Sequence, residues 1–305
     1  MPNADVILQS ADHVNFRVHK SALVPSSPFF ADMFSLPQPP NDEFPNDEFV
    51  DGLPVVHVSE DAEILNSLIS MLYPVFPEVP DTCDNILALL AASQKYDMAA
   101  VQSSIRAEVR RKGLLSPKGA EAFRVYAIAC RSRLIPEMET TARLTLDYPM
   151  TFEYLGEALR PFEGWALRDL TNFRQRCTDS LTSCFKSLSD DRSGPSRFWI
   201  GCPALVPRIH TRQSRNEGFF PIWLVEIFAR KLRHLDGSTF TLNPSTIRTN
   251  IRKEYFGAFQ AHVHSQDCGF CTRVHALKGE AFCAEIEEML ARAGNVQYSF
   301  CEGIP

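Results

Sequence analysis

The sequence predicts an α+β domain followed by mostly α-helical C-terminal regions. Three features of the 305 residues carry that prediction. Two short apolar runs near the start, Asp5-Val6-Ile7-Leu8-Gln9 and Phe16-Arg17-Val18-His19, have the β-branched and aromatic content of strands joined by a polar turn, Ser10–Asn15. Amphipathic helical stripes then alternate with strand candidates up to about residue 112. From Ser116 onward the apolar spacing is helical only. The boundaries this implies are 1–115, 116–188 and 197–305.

After the strands the period changes at Lys20. Leu23, Phe30 and Phe34 fall i, i+7, i+11 with Met33 alongside, as on a buried helical face. Pro25 and Pro28 break a single long helix, so a second helical piece starts near Ser27, with Ser27 as N-cap and Pro28 at the first helical position. Residues 35–54 read as an acidic, proline-rich loop containing the tandem duplication NDEFP-NDEFV. A repeat of that kind suits a tolerant surface connection with no function of its own.

Leu53-Pro54-Val55-Val56-His57-Val58 is the next strand candidate, with His57 read as a satisfied core histidine. Ser59, Glu60 and Asp61 supply an N-cap and first-turn acids for a helix carrying Ile64, Leu65, Leu68, Ile69 and Leu72 up to Pro74. A helix from Asp84 to Tyr96 follows. Another carries Met98, Val101, Ile105 and Val109 and closes on Arg110, Arg111 and Lys112 before Gly113. Ser116-Pro117 opens a helix with Phe123, Ala127, Cys130 and Leu134. Pro136 opens a second, and Thr151 caps a third. The longest steps through Leu167, Leu170, Phe173, Cys177, Leu181, Cys184 and Leu188. Ser189–Ser196 is the best linker candidate. Helices are then expected around Leu224–Leu235, Ile247–Ala261 and Lys278–Ala293.

The first of these segments resembles the N-terminal half of a BTB/POZ domain. The matching residues are Asp5-Val6, Phe16, His19-Lys20, Leu23, Ser27-Pro28, Phe30 and Met33-Phe34, and a weaker likeness continues to about Lys112. The overall layout is similar to the large basidiomycete-type group of fungal BTB-domain proteins. The resemblance implies an α+β BTB/POZ domain, then antiparallel helix pairs over 116–188. It also implies a homodimer packed through the first helical segment and the N-terminal strand, with Val6, Leu8, Leu23, Phe30, Met33 and Phe34 forming core and interface. Some BTB proteins recruit a cullin scaffold through a hydrophobic-x-Glu motif. Here the corresponding loop is the NDEF duplication, and neither Glu43 nor Glu48 has an apolar residue two places before it.

Composition narrows the function classes. Apolar content of 45% and charged content of 22% are ordinary for a soluble globular protein. No run approaches the ~18 apolar residues of a membrane helix, and MPNADV has no secretory n-region or h-region. An intracellular protein, cytoplasmic or nuclear, is expected. A net charge of −6 argues against coating nucleic acid, although clusters Arg230-Lys231-Arg233 and Arg252-Lys253 make 208–254 basic. The nine cysteines are expected to be reduced thiols, most of them small core residues.

One metal-like spacing stands out. Cys268-Gly269-Phe270-Cys271 is a C-x-x-C that can aim two thiolates at one zinc ion, with His262, His264, His275, Cys283 or Cys202 as further ligands. The candidate structural zinc site is Cys268, Cys271, His275 and His262. The alternative is ordinary reduced cysteines at a helix–helix turn. No Gly-rich phosphate loop, G-x-S-x-G or H-E-x-x-H occurs, so no cofactor and no catalytic residue is expected.

The leading expectation is a non-enzymatic protein-interaction module that self-associates through its BTB domain and scaffolds or adapts another protein. The other readings are a substrate adaptor of a cullin-type ubiquitin ligase, and a zinc-stabilised regulatory protein acting with nucleic acid.

Overall fold

The computed structural model describes residues 3–36, 49–73, 79–190, 243, 246, 250, 252–257, 260, 269–293 and 295–298, with side chains throughout except at 185–190, 269–271, 274 and 275. An α+β N-terminal part is followed by helices, as the periodicities predict. The opening strands are β1 (Val6–Gln9) and β2 (Asn15–Val18), followed by helices α1 (Lys20–Ser26) and α2 (Pro28–Ser35). Next come β3 (Phe49–Val50), β4 (Leu53–His57), α3 (Ala62–Ser70), α4 (Cys83–Lys95) and α5 (Ala99–Lys112).

The four strands form one mixed sheet in the order β2-β1-β4-β3, with β1 antiparallel to β2 and parallel to β4. Being interior, β1 is covered on both faces. This is why its three consecutive apolar residues Val6, Ile7 and Leu8 are all buried. The edge strand β2 alternates instead: Val18 and Phe16 face the same side as Val6 and Leu8, while Asn15 and Arg17 point the other way.

The β3–β4 hairpin departs from the loop expected over 35–54. Asp51 and Gly52 have φ of 52° and 75°, the left-handed pair that a tight hairpin turn needs. A two-residue strand is too short to show alternation, so Asp51-Gly52 was its one local signal. Arg17 of β2 pairs with Asp51, reaching diagonally over β1 and β4. His57 corrects a second expectation. It is exposed at the end of β4, opposite Gln9, where the sheet face turns polar.

Aspartates before and within the β1–β2 hairpin cap two helices, α1 directly after it and α3 far along the chain. His19 precedes α1 but its side chain makes no cap. Instead the Lys20 N–H donates to Asp5 Oδ1 at 2.7 Å. The Ala62 N–H, at the start of α3, donates to Asp12 Oδ1 at 2.8 Å. The His19 N–H donates to the Tyr73 hydroxyl at 3.1 Å. Local caps complete the set. Ser27 accepts from Phe30, with Pro28 at the first helical position. Asp61 accepts from Ile64 and Thr82 from Asn85. Gly113, at φ 66°, ends α5.

Tyr96, at the end of α4, is buried at the centre of this half. Its ring stacks on Phe30 at 5.0 Å and meets Phe29 edge-on at 5.4 Å. Its carbonyl accepts from the buried Ser27 hydroxyl, and its own hydroxyl donates to Glu60. Lys95 adds an ion pair to Glu60 at 3.0 Å and lies over the Tyr96 ring. Burial alone would raise the Glu60 pKa. The hydrogen bonds from Tyr96 and Lys95 outweigh it and hold the carboxyl below the usual carboxylate range.

The helices that follow are α6 (Ala120–Arg131), α7 (Ile135–Leu144), α8 (Phe152–Leu155), α9 (Gly164–Asp190) and α10 (Gly269–Ala293), with 3-10 turns at Thr145–Asp147 and Gly156–Leu159. Ser116 and Pro117 lie outside α6, because Gly119 at φ 65° stops any helix running through it. The helix expected from Lys278 begins nine residues earlier, at Gly269. The helix expected over 247–261 appears at 250, 252–257 and 260. The linker residues beyond Asp190 and the helix at 224–235 lie outside the described residues.

The chain divides into two compact units, one of residues 1–117 with 125–141 and one of 118–124 with 142–305. In the first, Arg106 of α5 forms a bidentate pair with the buried Glu137 of α7, at 2.9 and 3.1 Å. In the second, Ala166, Leu170, Phe173, Cys177, Leu181 and Cys184 of α9 face the core. The buried Arg174 donates to the carbonyls of Thr145 and Tyr148 just past α7, and burial pushes its pKa down to about 10. Arg252 bridges Glu280 and Glu287.

Two outcomes follow from the Tyr96 cluster. Tyr96→Phe keeps the ring stack but leaves the Glu60 carboxylate short of a donor, so urea denaturation should show a loss of about 1–3 kcal/mol. Glu60 has a depressed folded pKa, so its contribution is present above the unfolded carboxylate value and is lost as pH falls through the folded one. Glu60→Gln should therefore flatten the acid limb of a stability–pH profile below about pH 4.5.

Candidate interaction surface

The N-terminal unit contains two kinds of apolar side chain. Val6, Leu8, Leu23 and Phe30 are fully buried in the domain's own core. Met33 and Phe34 are half-buried on α2, where Phe34 stacks on Phe30 at 6.0 Å and carries the Lys20 ammonium 4.9 Å above its ring. The structure thus puts four of the six residues read as core and interface inside the protomer and leaves two partly open.

Three other side chains face solvent on or just past the same helical pair. Val24 is 39% exposed, Phe29 43% and Leu36 63%. Sequence reasoning missed them because the period picks out residues sharing the Leu23–Phe30–Phe34 stripe, and these lie beside it. Their signal was surplus: α1 and α2 hold more large apolar residues than one buried stripe can use. Phe29 is kept rigid by edge contacts with Phe30 and Tyr96. Ser27 and Pro28 set where α2 begins, and so which way Phe29 faces. A rigid exposed aromatic beside aliphatic neighbours is the composition of a protein-binding patch.

The zinc candidates lie mostly outside the described residues. That is so for His262 and Cys268. Cys271 and His275 are described only as backbone positions on α10, four residues apart and hence on one face. Cys283 is eight residues further along the same helix, about 12 Å of rise from His275, so it cannot complete a site with them. It is buried instead. Among the described residues no group of three His, Cys, Asp or Glu side chains could hold a metal ion. Residues 41–48 of the NDEF duplication, the loop that corresponds to the cullin motif by resemblance, also lie outside the described residues. Among the described residues, no helix is long and apolar enough to cross a membrane.

Five described cysteines are thiols; Cys130, Cys177 and Cys184 are buried, as their apolar stripes predict, and Cys283 is buried as well. Burial raises the thiols of Cys177, Cys184 and Cys283 to about 11.

Residues 2–112 match the family model of the BTB/POZ domain. No curated protein matches the chain. For the thiols the expected outcome is slow chemistry. At neutral pH an alkylating reagent should leave Cys177, Cys184 and Cys283 unmodified in the native chain and label all three in denaturant, as read by peptide mass spectrometry.

Proposed function

Because residues 2–112 are a BTB/POZ domain, a protein–protein interaction module, we propose that the chain is a non-enzymatic intracellular protein that self-associates through α1 and α2 and holds a further protein through its helical region. The observation that supports the self-association is the exposed trio of Val24 on α1, Phe29 on α2 and Leu36 just past it. Burying what remains exposed of such side chains contributes about 0.5–2 kcal/mol each, before the costs of association. Met33 and Phe34, half-buried beside them, extend the surface. Val6, Leu8, Leu23 and Phe30 act from beneath by fixing the shape of the two helices. The helical region that follows, 116–188, and the segment 197–305 are the parts left to hold a partner.

Light scattering coupled to size exclusion on the full chain tests the reading. At tens of micromolar the wild type should run as a dimer. Val24→Asp with Phe29→Asp should give a folded monomer, weakening association by about a hundredfold or more. A monomeric wild type under those conditions would overturn it.

A further inference from the structure

The buried cysteines of this chain fill core positions, and Cys271 stands in a different setting. Cys283 lies on the face of α10 that carries the buried Phe282, Ile286 and Leu290. Toward the start of the helix that buried face ends at Gly279. Ahead of it Thr272, Arg273, Ala276, Leu277 and Lys278 are all exposed, Leu277 at 81%. The core role that accounts for the other cysteines therefore has no support among the described side chains of these first turns. Cys271 and His275 are the ligand-type residues there. The helix places them at i and i+4 on one face, where Cβ positions are about 6 Å apart. That is the spacing at which the two histidines of an H-E-x-x-H helix share one zinc ion. Thiolate and imidazole are both zinc ligands. Cys271 is also the third residue of α10, whose first turn holds no Asp or Glu. The partial positive charge at a helix N-terminus favours the thiolate, which is the form that binds metal. In the sequence, Cys271 closes the C-x-x-C that begins at Cys268, immediately before Gly269, the first helical residue.

We propose that Cys271 and His275 hold a structural zinc ion at the start of α10, with Cys268 as a third ligand and His262 as the fourth. The two helical positions are its geometric basis; Cys268 and His262 lie outside the described residues and come from the sequence alone. Zinc takes four such ligands in a tetrahedron, and a site closed in this way has no open position for chemistry. Its binding contributes folding free energy directly, at an end of the helix where the described side chains bury little. The site is independent of self-association through α1 and α2.

The test uses the full-length chain, without a histidine tag and kept reduced, and zinc alone as the ligand. Elemental analysis after gel filtration should find about one zinc per chain. Cys271→Ser and His275→Gln should each weaken zinc binding at least about tenfold in competition with a chelator. Cys83→Ser, at a half-buried thiol far away in the sequence, should leave it unchanged. A wild type that stays below about half a zinc per chain after incubation with excess zinc would overturn the site. Wild-type affinity in both ligand variants would do the same, as would an equal loss in Cys83→Ser, which would mean zinc held by thiols at large. Should the ligand variants fail to fold, labelling of the wild type decides. In the zinc-loaded chain an alkylating reagent should reach Cys271 at least about tenfold more slowly than after a chelator is added, as read by peptide mass spectrometry. Equal rates with and without the chelator would overturn the proposal.

Discussion

The N-terminal domain depends on how Tyr96 is held. One residue joins two otherwise separate pieces: α2, through Ser27 at its start and Phe30 on its aromatic face, and the approach to α3 through Glu60. The phenol is buried and the carboxylate beside it is partly so. Leaving either unpaired there costs more than a single hydrogen bond contributes, so the two are obligatory to one another. Lys95 completes the balance with a charge that reaches solvent. With this cluster in place, the orientation of α2 is settled, and with it the direction in which Phe29 faces.

Much of the architecture was legible because each element has its own local signal. Ser27-Pro28, Thr151 and Gly113 mark the helix ends that the sequence reads there, whereas α3 is capped by Asp61, two residues after the Ser59 expected to do so. The stripe Leu170–Phe173–Cys177–Leu181–Cys184 is the buried face of α9. What escaped was set by longer-range geometry. His57 reads as core because its neighbours are apolar, yet the sheet ends at it. Ser116-Pro117 looks like a helix start, but Gly119 takes a left-handed conformation two residues later. Val24, Phe29 and Leu36 lie off the Leu23–Phe30–Phe34 stripe, so their exposure emerges only once α1 and α2 are packed. Of the residues read as core and interface by likeness, Val6, Leu8, Leu23 and Phe30 are fully buried within the protomer.

The helical half contains more charge–carbonyl chemistry than its apolar stripes suggest. Arg174 ends α7 by binding the carbonyls that follow it, and Arg143 in the last turn of that helix binds a carbonyl of the C-terminal segment. Both guanidiniums also lie near aromatic rings, Phe123 and Phe173 respectively. Arginine suits this position because its planar donors can bind a carbonyl while its face rests on a ring. Neither role leaves a mark in the sequence, where each arginine is simply one polar residue on an amphipathic helix.

The two aspartates of the first hairpin have a consequence for how the chain tolerates change in length. Asp12 sits in the short connection between β1 and β2 and must reach the amide of Ala62, fifty residues on. Lengthening that connection by even one residue would move the carboxylate away from α3, and the damage would appear at a helix remote from the insertion. The acidic connection after α2, by contrast, already contains a five-residue duplication. The first connection is therefore held to a fixed length by the helix it caps.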